Sequence, residues 1–259
     1  FVDGIESEDK IGVLTHTDLD GLTSAIFLEQ ILEKKGLKIE EVLFLKYVKG
    51  MFDSVFSDFK EKKITKVFLT DMNGDSSDLE SFERLRKEFD CFLIDHHPVN
   101  PDLKDRKNII KTRSSDCSSL TLYGFMDDNL KEEWKDLVCA AAISDFSFKK
   151  KENLDFINSI YPGVTPENAF DSEPGQIAST IGSGLTYYQS NKKKVYDLVL
   201  KRDLEILREA REKVDGAIEE DIENFEKKEE FYPEKNLHFY FSLPRYNITS
   251  IVSTLVSKK

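Results

Sequence analysis

No apolar stretch in this chain approaches the roughly 18 residues that a membrane-crossing helix needs, so no transmembrane helix is expected in it. Cysteine is scarce. The three present, Cys91, Cys117 and Cys139, are odd in number and share no CxxC spacing, so neither a disulfide framework nor a zinc finger is expected. Cys91 and Cys139 lie in apolar runs and are expected to pack as small hydrophobes. A reducing cytoplasm is the expected compartment. The first residues, FVDGIESEDK, lack the basic region and long apolar run of a secretory signal. The chain starts at Phe1 rather than Met, which reads as a trimmed start. Positive charge is also short: 37 Lys and Arg against 49 Asp and Glu leave a net charge of −12. Such a protein does not attract a polyphosphate backbone by bulk electrostatics. If it handles nucleic acid, metal ions or a local basic groove must offset its own field. No internal repeat or low-complexity tract is present. Histidine is rare too, at four residues, yet two stand side by side in LIDHHPV, residues 93–99.

What is present suits a folded enzyme-sized chain. With 259 residues, 39% hydrophobic and 33% charged, it can bury a core beneath a heavily charged surface. The first 150 residues alternate short apolar runs with helical patterns. Strands are expected at 12–18, 41–48, 66–72, 91–97 and 108–112. Helices are expected at 21–36, 51–63 and 76–89, the first stopping at Gly36 and the third capped by Ser76 or Ser77. Near-continuous apolar strands separated by helices argue for an α/β fold, a mainly parallel sheet with helices on both faces. Helices follow at 118–129 and 132–145, then a loop-rich stretch at 158–176. From Lys192 to Lys228, Val195, Leu198, Val199, Leu204, Leu207, Val214, Ala217, Ile218, Ile222 and Phe225 recur at helical spacing. They predict one long amphipathic connector helix of roughly 50–55 Å, with a bend at Gly216. A strand at 231–243 and a helix at 247–259 are expected beyond it. These last 30 or so residues are too few for a core of their own and read as the start of a second, incomplete domain.

In open α/β sheets, ligands bind beyond the carboxyl ends of the strands. There the chain places THTDLDG with His16, Asp18 and Asp20, LTDMNG with Asp71, and IDHHP with Asp95, His96 and His97. A helical segment, AAISD, adds Asp145. The second and fifth strand ends bring neither carboxylate nor imidazole. Taken singly, an Asp after a strand is ordinary turn or cap chemistry. Asp95-His96-His97 is different, because three groups that resist desolvation directly follow Cys-Phe-Leu-Ile and need pairing or a metal. Carboxylates with imidazoles and no thiolate suit Mn²⁺ or Mg²⁺, with Co²⁺ or Zn²⁺ also accommodated. About four aspartates exceed what one divalent ion needs. Two ions roughly 3.5–4 Å apart, sharing a carboxylate and a water, match that charge and the hydrolysis of a phosphoester or phosphoanhydride.

THTDLDGLTSA, LTDMNG, LIDHHP and AAISD, in that order, resemble the four signature motifs of the DHH phosphoesterase superfamily. DLDGLTSA resembles the RecJ-like branch more than the branch acting on short oligonucleotides and cyclic dinucleotides. The resemblance covers roughly residues 11–150. The long helix and NITSIVSTLVSKK are similar to the connector and the start of the family's DHHA1 domain. The implied organisation is a DHH domain at 1–190, a connector at 191–229 and the start of a DHHA1-like substrate-binding domain at 230–259. The resemblance implies roles. Asp18 and Asp20 each hold one metal, Asp71 bridges both, and His96 and Asp145 complete the second site. His97 meets the scissile phosphate or the nucleophilic water, and Asp95 orients the histidines. One departure concerns the first site: many members carry a metal-binding His four residues before the first Asp, where this chain has Leu14. His16 is the candidate substitute ligand. The glycine-rich substrate motif of the DHHA1 region is not present.

Other candidates carry a competing, blander reading. Arg113, Ser114 and Ser115 follow the fifth strand and are candidates to meet a phosphate, against an exposed loop. Lys192, Lys193 and Lys194 read as a solvated face. Tyr187 and Tyr188 are candidates for base stacking, against helix core. The resulting expectation is a two-metal, Mn²⁺-dependent phosphodiesterase acting on single-stranded DNA or RNA, an exonuclease of RecJ type in DNA repair or replication. The alternatives are an enzyme for short oligonucleotides or cyclic dinucleotides, and a catalytically quiet scaffold among replication or repair proteins. No membrane partner is expected.

Overall fold

The computed structural model describes residues 1–257. The chain divides into two compact units, Phe1–Ser179 and Thr180–Lys259. No helix among the described residues is long and apolar enough to cross a membrane.

The first unit is built on five strands, β1 (Ile11–His16), β2 (Ile39–Leu45), β3 (Lys66–Thr70), β4 (Asp90–Asp95) and β5 (Ile109–Lys111). All pair in parallel, in the order β2-β1-β3-β4-β5. This is the α/β sheet expected from the apolar runs. Between them run α1 (Leu19–Lys34), α2 (Phe56–Lys62), the short α3 (Gly74–Ser77) and α4 (Leu79–Glu88). The alternation of side chains along β1 distributes these helices over the two faces. Leu14 packs with Val67, Leu69 and Leu93 against Phe59 of α2 and Phe82 and Leu85 of α4. Gly12 lies on the same face, where a Cβ would stand 2.9 Å from the Phe59 ring. Thr15 points the other way, its hydroxyl donating to the Gly21 carbonyl of α1 at 2.6 Å.

Several boundaries differ from expectation for identifiable reasons. The 51–63 helix starts only at Phe56, after a 3-10 turn at Asp53–Val55. The 76–89 helix is capped by Asp78, whose carboxylate accepts the Ser81 N–H at 3.2 Å, and not by Ser76 or Ser77. Those serines belong instead to α3. Helices α5 (Ser118–Gly124) and α6 (Asp128–Ser144) follow the fifth strand. Two further helices, α7 (Lys151–Ile160) and α8 (Glu173–Tyr187), flank a loop that is shorter than the sequence suggested. The unit boundary falls inside α8.

In the second unit the expected single helix is two, α9 (Lys192–Leu200) and α10 (Glu205–Lys228). The break lies at Arg202, whose φ of 60° ends α9 with bonds from Arg202 N to Val199 O (3.0 Å) and Asp203 N to Leu198 O (2.9 Å). This is a left-handed helix stop without the glycine that usually marks one. Helix α10 runs uninterrupted through Gly216. The expected strand at 231–243 is a small antiparallel hairpin, β6 (Glu230–Tyr232) and β7 (Leu237–Phe239). Helix α11 (Thr249–Val256) ends the described chain, and the expected helix residues Lys258 and Lys259 lie outside it. Val214 and Ala217 of α10 pack with Tyr246, Ile248 and Val252 into this unit's own core.

Candidate metal centre

The strand order reverses direction between β1 and β3, and the crevice at such a switch point, beyond the strands' carboxyl ends, is where α/β sheets bind ligands. His16 is the last residue of β1. Asp18 caps α1, accepting the Gly21 N–H at 3.0 Å, and its other oxygen meets His16 Nδ1 at 2.6 Å. Asp20 lies in the first turn of α1, wholly buried. Its two oxygens accept the backbone N–H groups of Ser118 (2.7 Å) and Ser119 (2.9 Å) at the start of α5.

Asp71 follows β3 in the left-handed region, φ 55°, a conformation that costs a non-glycine residue about 1–2 kcal/mol. The turn lifts its carboxylate out of the sheet while its N–H still bonds the Ile94 carbonyl at 2.9 Å. One Asp71 oxygen stands 3.3 Å from His96 Nε2 and 3.3 Å from the Ser118 hydroxyl; the other is 3.8 Å from His16 Nδ1. His96 and His97 extend from the end of β4. His96 Nδ1 faces Asp145 Oδ2 at 3.7 Å, too far for a hydrogen bond, and is a buried nitrogen with no hydrogen-bond partner. His97 Nδ1 instead bonds Asp95 Oδ1 at 2.8 Å.

These distances yield three overlapping groups of ligand-competent atoms: His16, Asp18 and Asp71; Asp20, His96 and Asp145; and Asp71, Asp95, His96 and His97. Asp71 belongs to two of them, and so does His96. The electrostatics set the groups apart. Burial and then the charges of Asp20, Asp18, Asp95 and Asp145 push the Asp71 carboxyl well above the usual range. Burial followed by the charges of Asp20, Asp18 and Asp95 pushes Asp145 up to about 8. Burial also raises Asp20, against the hydrogen bonds from Ser119. Asp18 runs lower than normal: burial opposes its ionisation, but the hydrogen bond and charge of His16 outweigh it. Asp95 is held at about 2, because His97 and Lys111 together overcome its burial. The set therefore contains more negative charge than its protein partners neutralise, beside an orphaned imidazole nitrogen. Oxygen and nitrogen donors with surplus negative charge fit divalent cations, and thiolate is absent from the set.

The candidate side chains from the four motifs are thus brought together at one edge. Arg113 and Ser114 follow the carboxyl end of β5 on that edge. Both lie on the turn after β5, and neither hydrogen-bonds to the carboxylate cluster among the described residues. Leu14 lies in the core between sheet and helices. Some site residues escaped the sequence reading. Ser118 and Ser119 bind Asp20 and Asp71 through DCSSL, where a run of small polar residues at a helix start was the available signal. The second and fifth strand ends do contribute. Tyr47, beyond β2, stacks on the His16 ring at a centroid distance of 4.5 Å and bonds the Asp71 carbonyl at 3.3 Å. Lys111, the last residue of β5, reaches Asp95 at 2.5 Å.

The DHH family, N-terminal domain, matches this chain over residues 10–143. The chain belongs to the DHH family. Solved structures of similar fold include an exonuclease RecJ bound to manganese, with a TM-score of 0.64 and 13% identity over 90% of this chain and 68% of that one. The DHH domain of a protein described as a member of a ribosomal-protein family gives a TM-score of 0.66 at 15% identity, covering 96% of this chain and 69% of that one. RecJ from Thermus thermophilus in complex with Mn²⁺ gives 0.54 at 17% identity, covering 85% of this chain and 37% of that longer one. At such identities the likeness is one of DHH fold. No curated protein sequence matches this chain.

Proposed function

We propose that this DHH-family chain is a metal-dependent phosphodiesterase that hydrolyses single-stranded nucleic acid, in the manner of a RecJ-type exonuclease. The observation that carries the reading is the surplus of buried carboxylate around a partnerless His96 Nδ1, at the switch point of the sheet. His16, Asp18 and Asp71 would hold one divalent cation, and Asp20, His96, Asp145 and Asp71 a second, with Asp71 shared. Mn²⁺ is the preferred ion, and Mg²⁺ or Co²⁺ also suits the donors. Such ions, when bound, supply an acidified water and neutralise phosphate charge. They also reverse the sign of the local field, so an acidic protein can accept an anionic substrate.

The chain's own residues do the rest. Asp95 fixes the His97 ring through Nδ1, which leaves Nε2 to hydrogen-bond the phosphate or the attacking water. Ser118 and Ser119 hold Asp20 in place through their backbone N–H groups. Tyr47 packs over His16 and limits its rotation. Arg113 and Ser114, on the turn between Lys111 and Ser118, are the proposed contacts to the substrate phosphate. The 230–259 segment is proposed as the start of a DHHA1-like domain.

The test is hydrolysis of 5′- and 3′-labelled DNA and RNA oligonucleotides of graded length, with cyclic dinucleotides alongside, by protein stripped of metal and reloaded with Mn²⁺. Turnover is expected to need Mn²⁺ and to vanish in Asp71→Ala and His96→Ala. Progressive degradation of long strands supports the exonuclease reading. Turnover confined to the shortest oligonucleotides or to cyclic dinucleotides moves the assignment to those substrates. No metal binding and no turnover of any phosphodiester overturns it in favour of a scaffold.

A further inference from the structure

Against the candidate centre lies a line of charge in which two members, Asp75 and Lys111, belong to none of the four motifs. Lys111 ends β5 with its side chain only 6% exposed, and its ammonium lies between two wholly buried carboxylates. It donates to Asp75 Oδ1 at 2.6 Å and to Asp95 Oδ2 at 2.5 Å. Asp75 lies at the start of α3, on the connection leaving β3. Its second oxygen accepts the Asn100 N–H at 2.8 Å, and its carbonyl accepts from Asn100 Nδ2 at 2.7 Å. Asn100 follows the His-His-Pro turn, and the Ser76 hydroxyl adds a bond to the Pro98 carbonyl at 3.1 Å. Asp95 spends its first oxygen on His97 Nδ1 and its second on Lys111. Four groups from three parts of the chain thus form one line: Asp75, Lys111, Asp95, His97.

A buried lysine is costly unless paired, and placing it between two carboxylates is a large outlay for a residue far from solvent. Its geometric consequence is specific. With one carboxylate oxygen held by Lys111, the other can only face His97 Nδ1, and an ionised carboxylate there requires the Nδ1–H tautomer. We propose that Lys111, anchored by Asp75, is a positioning residue that fixes the orientation and tautomer of His97 through Asp95, so that His97 presents an unprotonated Nε2 that accepts a hydrogen bond from the attacking water. The catalytic half of this statement rests on the phosphodiesterase reading; the tautomer half does not.

The test separates them. Long-range ¹H–¹⁵N spectra of the metal-free chain at about pH 8, where a free imidazole is neutral, report the tautomer of each ring. His97 is assigned by the loss of its signals in His97→Gln. The wild-type ring is expected as Nδ1–H. Lys111→Met is expected to give a mixed or Nε2–H ring and, with Mn²⁺ restored, a kcat lower by about 10–100-fold at nearly unchanged KM. Lys111→Arg, which keeps the cation, is expected to restore the tautomer and much of kcat. If Lys111→Met does not fold, the double variant Asp75→Asn/Lys111→Met, which removes one charge of each sign, takes its place with the same expected result. An Nε2–H ring in the wild type, or an Nδ1–H ring retained without Lys111, overturns the proposal. A wild type that turns over no phosphodiester overturns the functional reading instead, while the spectra still decide the role of Lys111.

Discussion

Ionising Asp71 and Asp145 in the folded chain has a cost that protonation or a bound cation relieves, and this has a measurable sign. Each has a folded pKa above its unfolded value near 3.8, and Asp145 reaches about 8. The folded state therefore holds protons that the unfolded state has released, so stability falls as pH rises through that window. Asp18 and Asp95, with lowered values, act oppositely, and their contribution is lost only below about pH 4. Chelated protein is expected to melt several degrees lower at pH 8 than at pH 5, since each kcal/mol moves the melting temperature by about 2–4 °C at this size. Asp145→Asn should flatten the slope, and Mn²⁺ at pH 8 should restore the melting temperature. A flat or rising melting temperature between those pH values, read by calorimetry, refutes the account. At this scale the sequence was most legible where chemistry is rare: adjacent histidines after an apolar run can hardly be neutral ornaments. Lys111 and Tyr47 were illegible for the opposite reason. A lysine or tyrosine at a strand end is commonplace, and only the register of five strands shows which side chains meet.

At the scale of elements, the centre depends on how tightly β1 turns into α1. Gly21 sits so close beneath the end of β1 that a Cβ would stand 2.5 Å from the His16 carbonyl oxygen and 2.9 Å from its backbone nitrogen. Backbone atoms cannot swing aside as a flexible side chain can. Gly21→Ala must therefore push α1 from the strand, separating His16 and Asp18 from Asp71. The expected cost is about 1–3 kcal/mol or more, with Mn²⁺ affinity lowered as well. Gly182, inside α8 with nothing within 4 Å of its absent Cβ, is the control. Gly182→Ala should be neutral or stabilising by about 0.5–1 kcal/mol. Equal melting temperatures for the two variants would show that the β1–α1 turn is not under this constraint. The same element level explains where sequence periodicity failed. Val195 and Val199, and again Leu204 and Leu207, keep helical spacing, but the step of five from Val199 to Leu204 slips off the face at the α9–α10 break, where Arg202 adopts the left-handed stop without a glycine to announce it. The central strands β1, β3 and β4 were legible because largely buried parallel strands are nearly unbroken apolar runs, a signal that helix ends do not provide; β2 and β5, at the sheet edges, are only part-buried.

Over the whole molecule, the net charge of −12 is not shared evenly. Residues 1–179 hold 35 acidic and 23 basic residues, so this unit alone carries −12, while residues 180–259 hold 14 of each. The sum was legible from composition; its distribution was not, because the boundary lies inside α8 rather than at a linker the sequence could show. The unit that contains the candidate centre therefore repels a nucleic-acid backbone unless cations intervene. Proteins that bind such backbones through rows of Lys and Arg lose about 10³–10⁵ in affinity between roughly 50 and 200 mM salt, by counterion release. This chain should behave otherwise. In chelator, its affinity for a single-stranded oligonucleotide should be weak and should hold or improve as salt screens the repulsion. With Mn²⁺ and a hydrolysis-resistant backbone analogue, affinity should rise at least about tenfold, with a shallow salt slope, since few phosphates are met by Lys or Arg. Fluorescence anisotropy across a salt series reads both. A steep loss of affinity with salt in the absence of metal would mean that a basic groove, rather than the metal centre, draws in the substrate, and the acidic unit would then need a different reason for its charge.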